Sequence, residues 1–179
     1  MKKEINIPVN ALVILVGVAG SGKSTLARKI FGKEGNTVIV SSDACRKELT
    51  GDEENQERNP EVFALFHQKI REALTEGRRV IADATNLSKM ARKPLYEIAS
   101  EAQVPVYAIV FNFPLPLIKR QNQSRERKVP EDVIDKQFEK LANTYKELDE
   151  ELPGRVIDIV PEKTRKHEAK KEEQDKEER

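Results

Sequence analysis

Apolar runs of strand length alternate along this chain with segments whose apolar residues recur at helical spacing. Strands are predicted over Leu12–Val16, Thr37–Ser41, Arg79–Ala82, Pro105–Phe111 and Val156–Val160. A helix is predicted to open at Asn59-Pro60-Glu61, with an asparagine cap, proline in the first turn and an acid beside the helix dipole. Its apolar stripe is Phe63, Phe66, Ile70 and Leu74. A second opens at Pro130-Glu131-Asp132, with Ile134, Phe138, Leu141, Tyr145 and Leu148 on one face. Both stripes read as core packing. Gly77 and Gly154 fall where a helix should stop before a strand. Alternating β and α units predict an α/β fold: a mainly parallel five-stranded sheet with helices on both faces. Ligands of such sheets bind beyond the carboxyl ends of the strands, so the residues following each strand carry the functional argument.

The first strand runs into Gly17-Val-Ala-Gly20-Ser21-Gly22-Lys23-Ser24, a complete Gly-x-x-x-x-Gly-Lys-Ser loop, followed by a helical pattern from Thr25. Strand, glycine turn and helix form the context in which this string is a phosphate site. With glycine near ~7% of residues, the string arises by chance in roughly one chain of this size in two hundred. The glycines allow a tight turn that brings backbone N–H groups near an anion, and the helix N-terminus adds partial positive charge. Lys23 can reach the β- and γ-phosphates, and the Ser24 hydroxyl can ligate Mg²⁺.

The second strand is followed by Ser41-Ser42-Asp43-Ala44-Cys45-Arg46, and the third by Asp83-Ala84-Thr85-Asn86. Phosphoryl transfer needs a carboxylate on the acceptor hydroxyl, an acid that organises metal and a mobile cation. Asp43 suits the first task, although it or Ser42 would equally serve as a helix cap. Arg46, three residues on, can hold an anionic part of an acceptor, lie as a surface arginine or form an ion pair with a local acid. Asp83 fits an acid contacting Mg²⁺ through water, or a turn residue. Thr85 and Asn86 can bond the acceptor or hold the turn. Lys119 to Lys128 carries five cations against one acid between two helices, the pattern of a basic lid over ATP.

Composition then narrows the setting. The chain has 179 residues, enough for one α/β domain with a core. The net charge of +1 gives no global attraction to nucleic acid, so any such attraction is local. Cys45 is the only cysteine, which excludes an intramolecular disulfide and fits a reducing cytoplasm. It reads as a small packing residue, and His67 as a surface or packing residue. No apolar stretch has membrane-spanning length, and no membrane partner is expected. Glu48 to Glu61 holds six acids and one base and reads as a solvated loop. Residues 162–179, with seven acids and seven bases, are expected to be a disordered tail or frayed helix, or the start of a linker to another domain. Residues 1–161 are expected to form the domain, with a helical lid at about 119–130.

Taken together, Gly-Ser-Gly-Lys-Ser-Thr25, Ser-Ser-Asp43-x-Cys-Arg46, Asp83-Ala-Thr-Asn86 and Ala91-Arg92-Lys93-Pro94-Leu95 resemble the polynucleotide 5′-kinase module of bacterial end-healing enzymes. The resemblance runs from Leu12 to about Val160. It implies a P-loop kinase that moves the ATP γ-phosphate to a 5′-hydroxyl end of RNA or DNA, with ATP and Mg²⁺ as cofactors. On matching positions Gly17, Gly20, Ser21, Gly22, Lys23, Ser24 and Thr25 would bind ATP phosphates, and Ser24 and Asp83 would serve the metal. Asp43 would be the general base, Arg46 the contact to the phosphate after the accepting nucleoside, and Thr85 and Asn86 acceptor contacts. Asn122-Gln-Ser-Arg125 resembles a lid Asn-x-x-Arg element, which makes Arg125 the arginine on the transferred phosphate, with Arg127 the alternative. Further end-healing domains in a longer parent are implied partners. A small-molecule or aminoacyl-tRNA kinase is the competing enzyme class, and a non-catalytic nucleotide-binding module the competing non-enzyme.

Overall fold

The computed structural model describes residues 6–161, so the expectation for 162–179 lies outside the described residues. Five strands, β1 (Leu12–Val16), β2 (Thr37–Ser41), β3 (Arg79–Asp83), β4 (Val106–Phe111) and β5 (Val156–Ile159), pair in the order β2-β3-β1-β4-β5. Every neighbouring pair is parallel. Six helices connect them: α1 (Lys23–Phe31), α2 (Ser42–Thr50), α3 (Asn59–Thr75), α4 (Lys89–Glu101), α5 (Leu115–Gln123) and α6 (Glu131–Glu151).

Burial follows from position in the sheet. β1 is central and all five of its residues are buried, which is why Leu-Val-Ile-Leu-Val shows no polar alternation. Its side chains split between the two faces with period two. Leu12, Ile14 and Val16 join a core with Val62, Phe66 and Ile70 of α3, Leu95 and Ile98 of α4, and Leu141 and Leu148 of α6. Val13 and Leu15 join Ala27 and Phe31 of α1 on the other face. Phe66 is 1% exposed, and its removal to alanine should cost about 3–5 kcal/mol. The edge strands β2 and β5 are only partly buried, so they read more weakly in the sequence.

The parallel register sets the working edge. Ser41 at the end of β2 stands opposite Asp83 at the end of β3. The residues leaving β2 and β3 therefore emerge side by side, next to the turn that leaves β1.

Three local expectations change. Asn59 is the first residue of α3 rather than its cap, because its side-chain oxygen accepts from Arg46 instead of from its own helix. The cap of α2 is Ser41, whose hydroxyl accepts from the Ala44 N–H at 3.2 Å, so neither Ser42 nor Asp43 is needed there. β3 runs one residue further than its apolar run and includes Asp83.

Candidate active site

The turn after β1 uses its glycines where backbone geometry demands them. Gly20 and Gly22 have φ of 81° and 84°, a region costly for any other L-residue. The Gly17 N–H donates to the Thr85 carbonyl at 3.1 Å, which ties the start of the loop to the segment following β3. Lys23 opens α1 and folds back over the turn, its Nζ donating to the Val18 carbonyl at 2.9 Å. The cradle is thus closed on the lysine that would meet the phosphates.

Lys23 is 7% exposed. Burial pushes its ammonium down to about 8, against the nearby charges of Asp83 and Asp43, which raise it. Asp83 is buried as well, which raises its carboxyl, while the Ser24 hydroxyl bonded to it and the Lys23 charge pull it back. Ser24 and Asp83 therefore form a hard-oxygen pair at the foot of the loop. Such a pair suits Mg²⁺, which is held by one or two protein oxygens with phosphate and water completing the shell. Among the described residues no cluster of three or more His, Cys, Asp or Glu side chains could hold a metal ion.

Asp43 sits in the first turn of α2 with its side chain 65% exposed. Arg46, one turn on, is 5% exposed. Its Nη1 lies 3.0 Å from Asp43 Oδ1, and its Nη2 donates to Asn59 Oδ1 at 2.9 Å. Its Nε is also buried, without a partner among the described residues. Burial excludes a surface arginine, and the ion pair with a local acid is present: Arg46 is held between Asp43 and Asn59.

The lid arrangement separates the two candidate arginines. A side chain at Gly20 would meet Arg125 Nη1 at 3.5 Å and Asn122 at 3.6 Å, so Arg125 lies against the phosphate loop. Arg127 points the other way. Its guanidinium is bound by Asp52, Glu53 and Glu54 of the α2–α3 connection, at 3.3 Å from Asp52 and 3.0 Å from Glu54. Of the two candidates, Arg125 is the one placed against the loop, and Arg127 is paired with three carboxylates. Three acids of the stretch therefore pair with Arg127 while staying largely exposed to solvent.

Asn86 is also reassigned. Its side chain is 3% exposed, and its Nδ2 donates to the Leu15 carbonyl at 2.8 Å. It adopts φ 49° and fixes the end of β1, so its amide has no reach toward an acceptor. Thr85 remains half-buried at the cleft, with its carbonyl occupied by Gly17. Cys45 is core, 2% exposed, its thiol pushed up by burial. His67 packs at a tilt beside Phe63 and Phe66, and burial lowers its pKa.

Arg92, which the sequence marked only as part of the Ala91–Leu95 segment of the resemblance, had no role assigned to it. It is fully buried on α4, with Nε 2.9 Å from Glu151 and Nη1 donating to the Asn86 carbonyl at 3.0 Å, and it also pairs with Glu147. It connects α6, through Asn86, to the end of β1. The available signal was a charged residue at a core-facing position of a helix, visible only once the face of α4 is known.

A five-stranded parallel sheet of this order, with a Gly-x-x-x-x-Gly-Lys-Ser turn leaving its central strand, defines a P-loop kinase fold. Residues 12–148 match the AAA_33 model of AAA domains, and the chain belongs to that family. Over 153 residues it is 29% identical to the L-seryl-tRNA(Sec) kinase of Methanococcus maripaludis, covering 83% of this chain and 59% of that enzyme. It superposes with TM-score 0.69 and 26% identity on a chain of the Pnkp1/Rnl/Hen1 RNA repair complex, covering 82% of this chain and 49% of that one. A gluconokinase from Sinorhizobium meliloti shares the fold with TM-score 0.57 and 18% identity, covering 86% of this chain and 84% of that one. The chain thus spans about half to three fifths of the length of its relatives at 26–29% identity. These relatives include kinases of different substrates. Among the described residues no helix is long and apolar enough to cross a membrane.

Proposed function

We propose that this chain is the kinase domain of an RNA or DNA end-healing enzyme, transferring the ATP γ-phosphate to a 5′-hydroxyl end. The observation that carries the reading is Arg46. A guanidinium with N–H donors still unpaired, fixed beside an exposed carboxylate, suits an acceptor whose hydroxyl is flanked by a phosphate. The motif resemblance to polynucleotide 5′-kinases and the likeness to a chain of an RNA repair complex support the same reading. Residues 1–161 are taken as the kinase domain, with the lid at 119–130. The cytoplasm is the expected compartment, and further end-healing domains the expected partners.

Asp43 accepts the proton of the 5′-hydroxyl as its oxygen attacks the γ-phosphorus. The bond from that phosphorus to the β–γ bridging oxygen breaks in line, and ADP leaves with the negative charge. The loop amides around Gly20 to Ser24 hold the donor phosphates, and Lys23 and Arg125 face the charge on the transferred group. Mg²⁺, held by Ser24 and Asp83, would neutralise donor phosphate charge. Arg46 holds the acceptor so that the hydroxyl meets the donor at bonding distance.

The test is transfer of labelled γ-phosphate from ATP to a 5′-hydroxyl oligonucleotide, beside Asp43→Ala. Label with the wild type and none with the variant is expected. The identity to L-seryl-tRNA(Sec) kinase favours a second reading, an aminoacyl-tRNA kinase. Label on seryl-tRNA, uncompeted by a 5′-hydroxyl oligonucleotide, would replace the first reading with the second.

A further inference from the structure

Helix α6 carries, beside its apolar stripe, a second stripe that is polar and inward-facing: Gln137, Thr144, Glu147 and Glu151. The offsets of seven, ten and fourteen from Gln137 lie on one helical face. Each member bonds to a segment that shapes the phosphate loop. Gln137 Oε1 accepts from the Ala19 N–H at 2.8 Å, across 118 residues. The Thr144 hydroxyl donates to the Leu87 carbonyl at 2.8 Å. Glu147 and Glu151 hold Arg92, which holds the Asn86 carbonyl.

We propose that Gln137 is a positioning residue for the nucleotide: it fixes the Ala19 amide and thereby sets the phosphate loop in its binding shape and joins it to the lid. The inference rests on the kinase reading above. Three further observations converge on it. Val18, the residue before this amide, is fully buried in a small cluster with Ile118 of α5 and Ile134 of α6, so this arm of the loop is inserted between the two helices that flank the lid. Asn122, 2% exposed, bonds both the N–H and the carbonyl of Val129, at 2.9 and 2.8 Å, closing the lid connection into a ring. Asn122 and Arg125 both lie against Gly20, the next residue of the loop. Residues 18, 19 and 20 are thus gripped in turn by an apolar cluster, a glutamine and the lid.

Ala19 N–H is a donor in a turn whose neighbouring amides must all point toward one anion. Left without Gln137, it would seek another acceptor by rotating its peptide, and the shared geometry would be lost. An orphaned, partly buried donor costs about 1–3 kcal/mol, a factor of roughly 5 to 150 in an equilibrium constant. The effect falls on ground state and transition state alike, because both need the same loop, so it should enter KM for ATP and not kcat.

The experiment uses the full chain. The dissociation constant of Mg²⁺–ATP is measured by calorimetry well below the melting temperature for wild type, Gln137→Met and Gln137→Ala, with Lys136→Met as a control on the exposed side of the helix. Steady-state constants with a 5′-hydroxyl oligonucleotide accompany it. Expected is a rise of about tenfold in the dissociation constant and KM for ATP with both Gln137 variants, kcat within twofold, and no change with Lys136→Met. A lowered melting temperature with unchanged ATP affinity would reduce Gln137 to a fold contact and overturn the inference alone. A wild type that binds no ATP would overturn the kinase reading and this inference with it.

Discussion

On the proposed reading, the donor and acceptor sides of the cleft are built in opposite ways. The donor side is contiguous: Gly17 to Thr25 supplies glycines, lysine and serine within nine residues, and its key cation is buried. The acceptor side is assembled from afar. Asp43 and Arg46 come from α2, Asn59 from the start of α3, and Asp52 to Glu54 reach across to Arg127 of the lid. Its carboxylate is mostly exposed, whereas its arginine is sequestered. Relatives named as a tRNA kinase and a gluconokinase share the scaffold with a chain of an RNA repair complex.

The largest expected effects test each side at its centre. Lys23→Met and Asp43→Ala should each lower γ-phosphate transfer by about a thousandfold or more. They should differ in binding: Lys23→Met weakens ATP in calorimetry, and Asp43→Ala leaves it unchanged. Equal ATP affinities in the two would erase the donor–acceptor distinction.

Next in size is Arg92→Met, which strands Glu147 and Glu151 beside an apolar chain. Removing one partner of a buried ion pair costs about 3–5 kcal/mol, to be read from urea denaturation. Activity of the fraction still folded should fall on the donor side first, as a raised KM for ATP. Arg46→Ala should then cost more on a 3′-phosphorylated nucleotide than on the bare nucleoside, by about tenfold to a hundredfold for one charge-assisted contact. Equal losses on both would remove its role as an anion clamp.

A smaller effect comes from pH. Lys23 sits near 8 in the fold and at its ordinary 10.5 when unfolded. Between those values the unfolded chain holds more protons, so this residue makes stability rise with pH through that window. Removing the titrating group in Lys23→Met should remove the rise in denaturation midpoints. Over the same range ATP affinity should fall, since the ammonium that meets the phosphates is being lost. Smallest is Arg127→Ala, whose exposed ion pairs with Asp52, Glu53 and Glu54 are screened by water. Transfer should drop less than about threefold, with the difference vanishing at high salt.

Sequence legibility follows the same division. All five strands were readable, β1 and β2 to the residue, because apolar runs bounded by turn residues need only local information. The phosphate loop was readable for the same reason. What could not be read was which polar groups meet across the fold. Asn59 resembled a helix cap because its local context is that of one, yet Arg46 recruits it from another helix. Asn86 resembled an acceptor contact, and Arg127 a phosphate contact, until long-range partners consumed their donors. Arg92 and the polar stripe of α6 were invisible to a reading that sorted helical faces into apolar and solvent-facing, since a buried charge satisfies neither.

The pairing of Ser41 with Asp83 has a consequence for how the protein acquires activity at all. β2 is an edge strand with one ladder and a half-buried face, so little apolar area specifies its alignment. A slip of one residue would carry Asp43 about 3.3 Å along the sheet and turn it to the opposite side. The central strands, α1 and the phosphate loop would stand as before. Such a molecule would melt cooperatively, bind nucleotide and transfer nothing. With Asp43 as the proposed base, transfer activity reports the alignment of one peripheral strand, an error to which a melting curve is nearly blind.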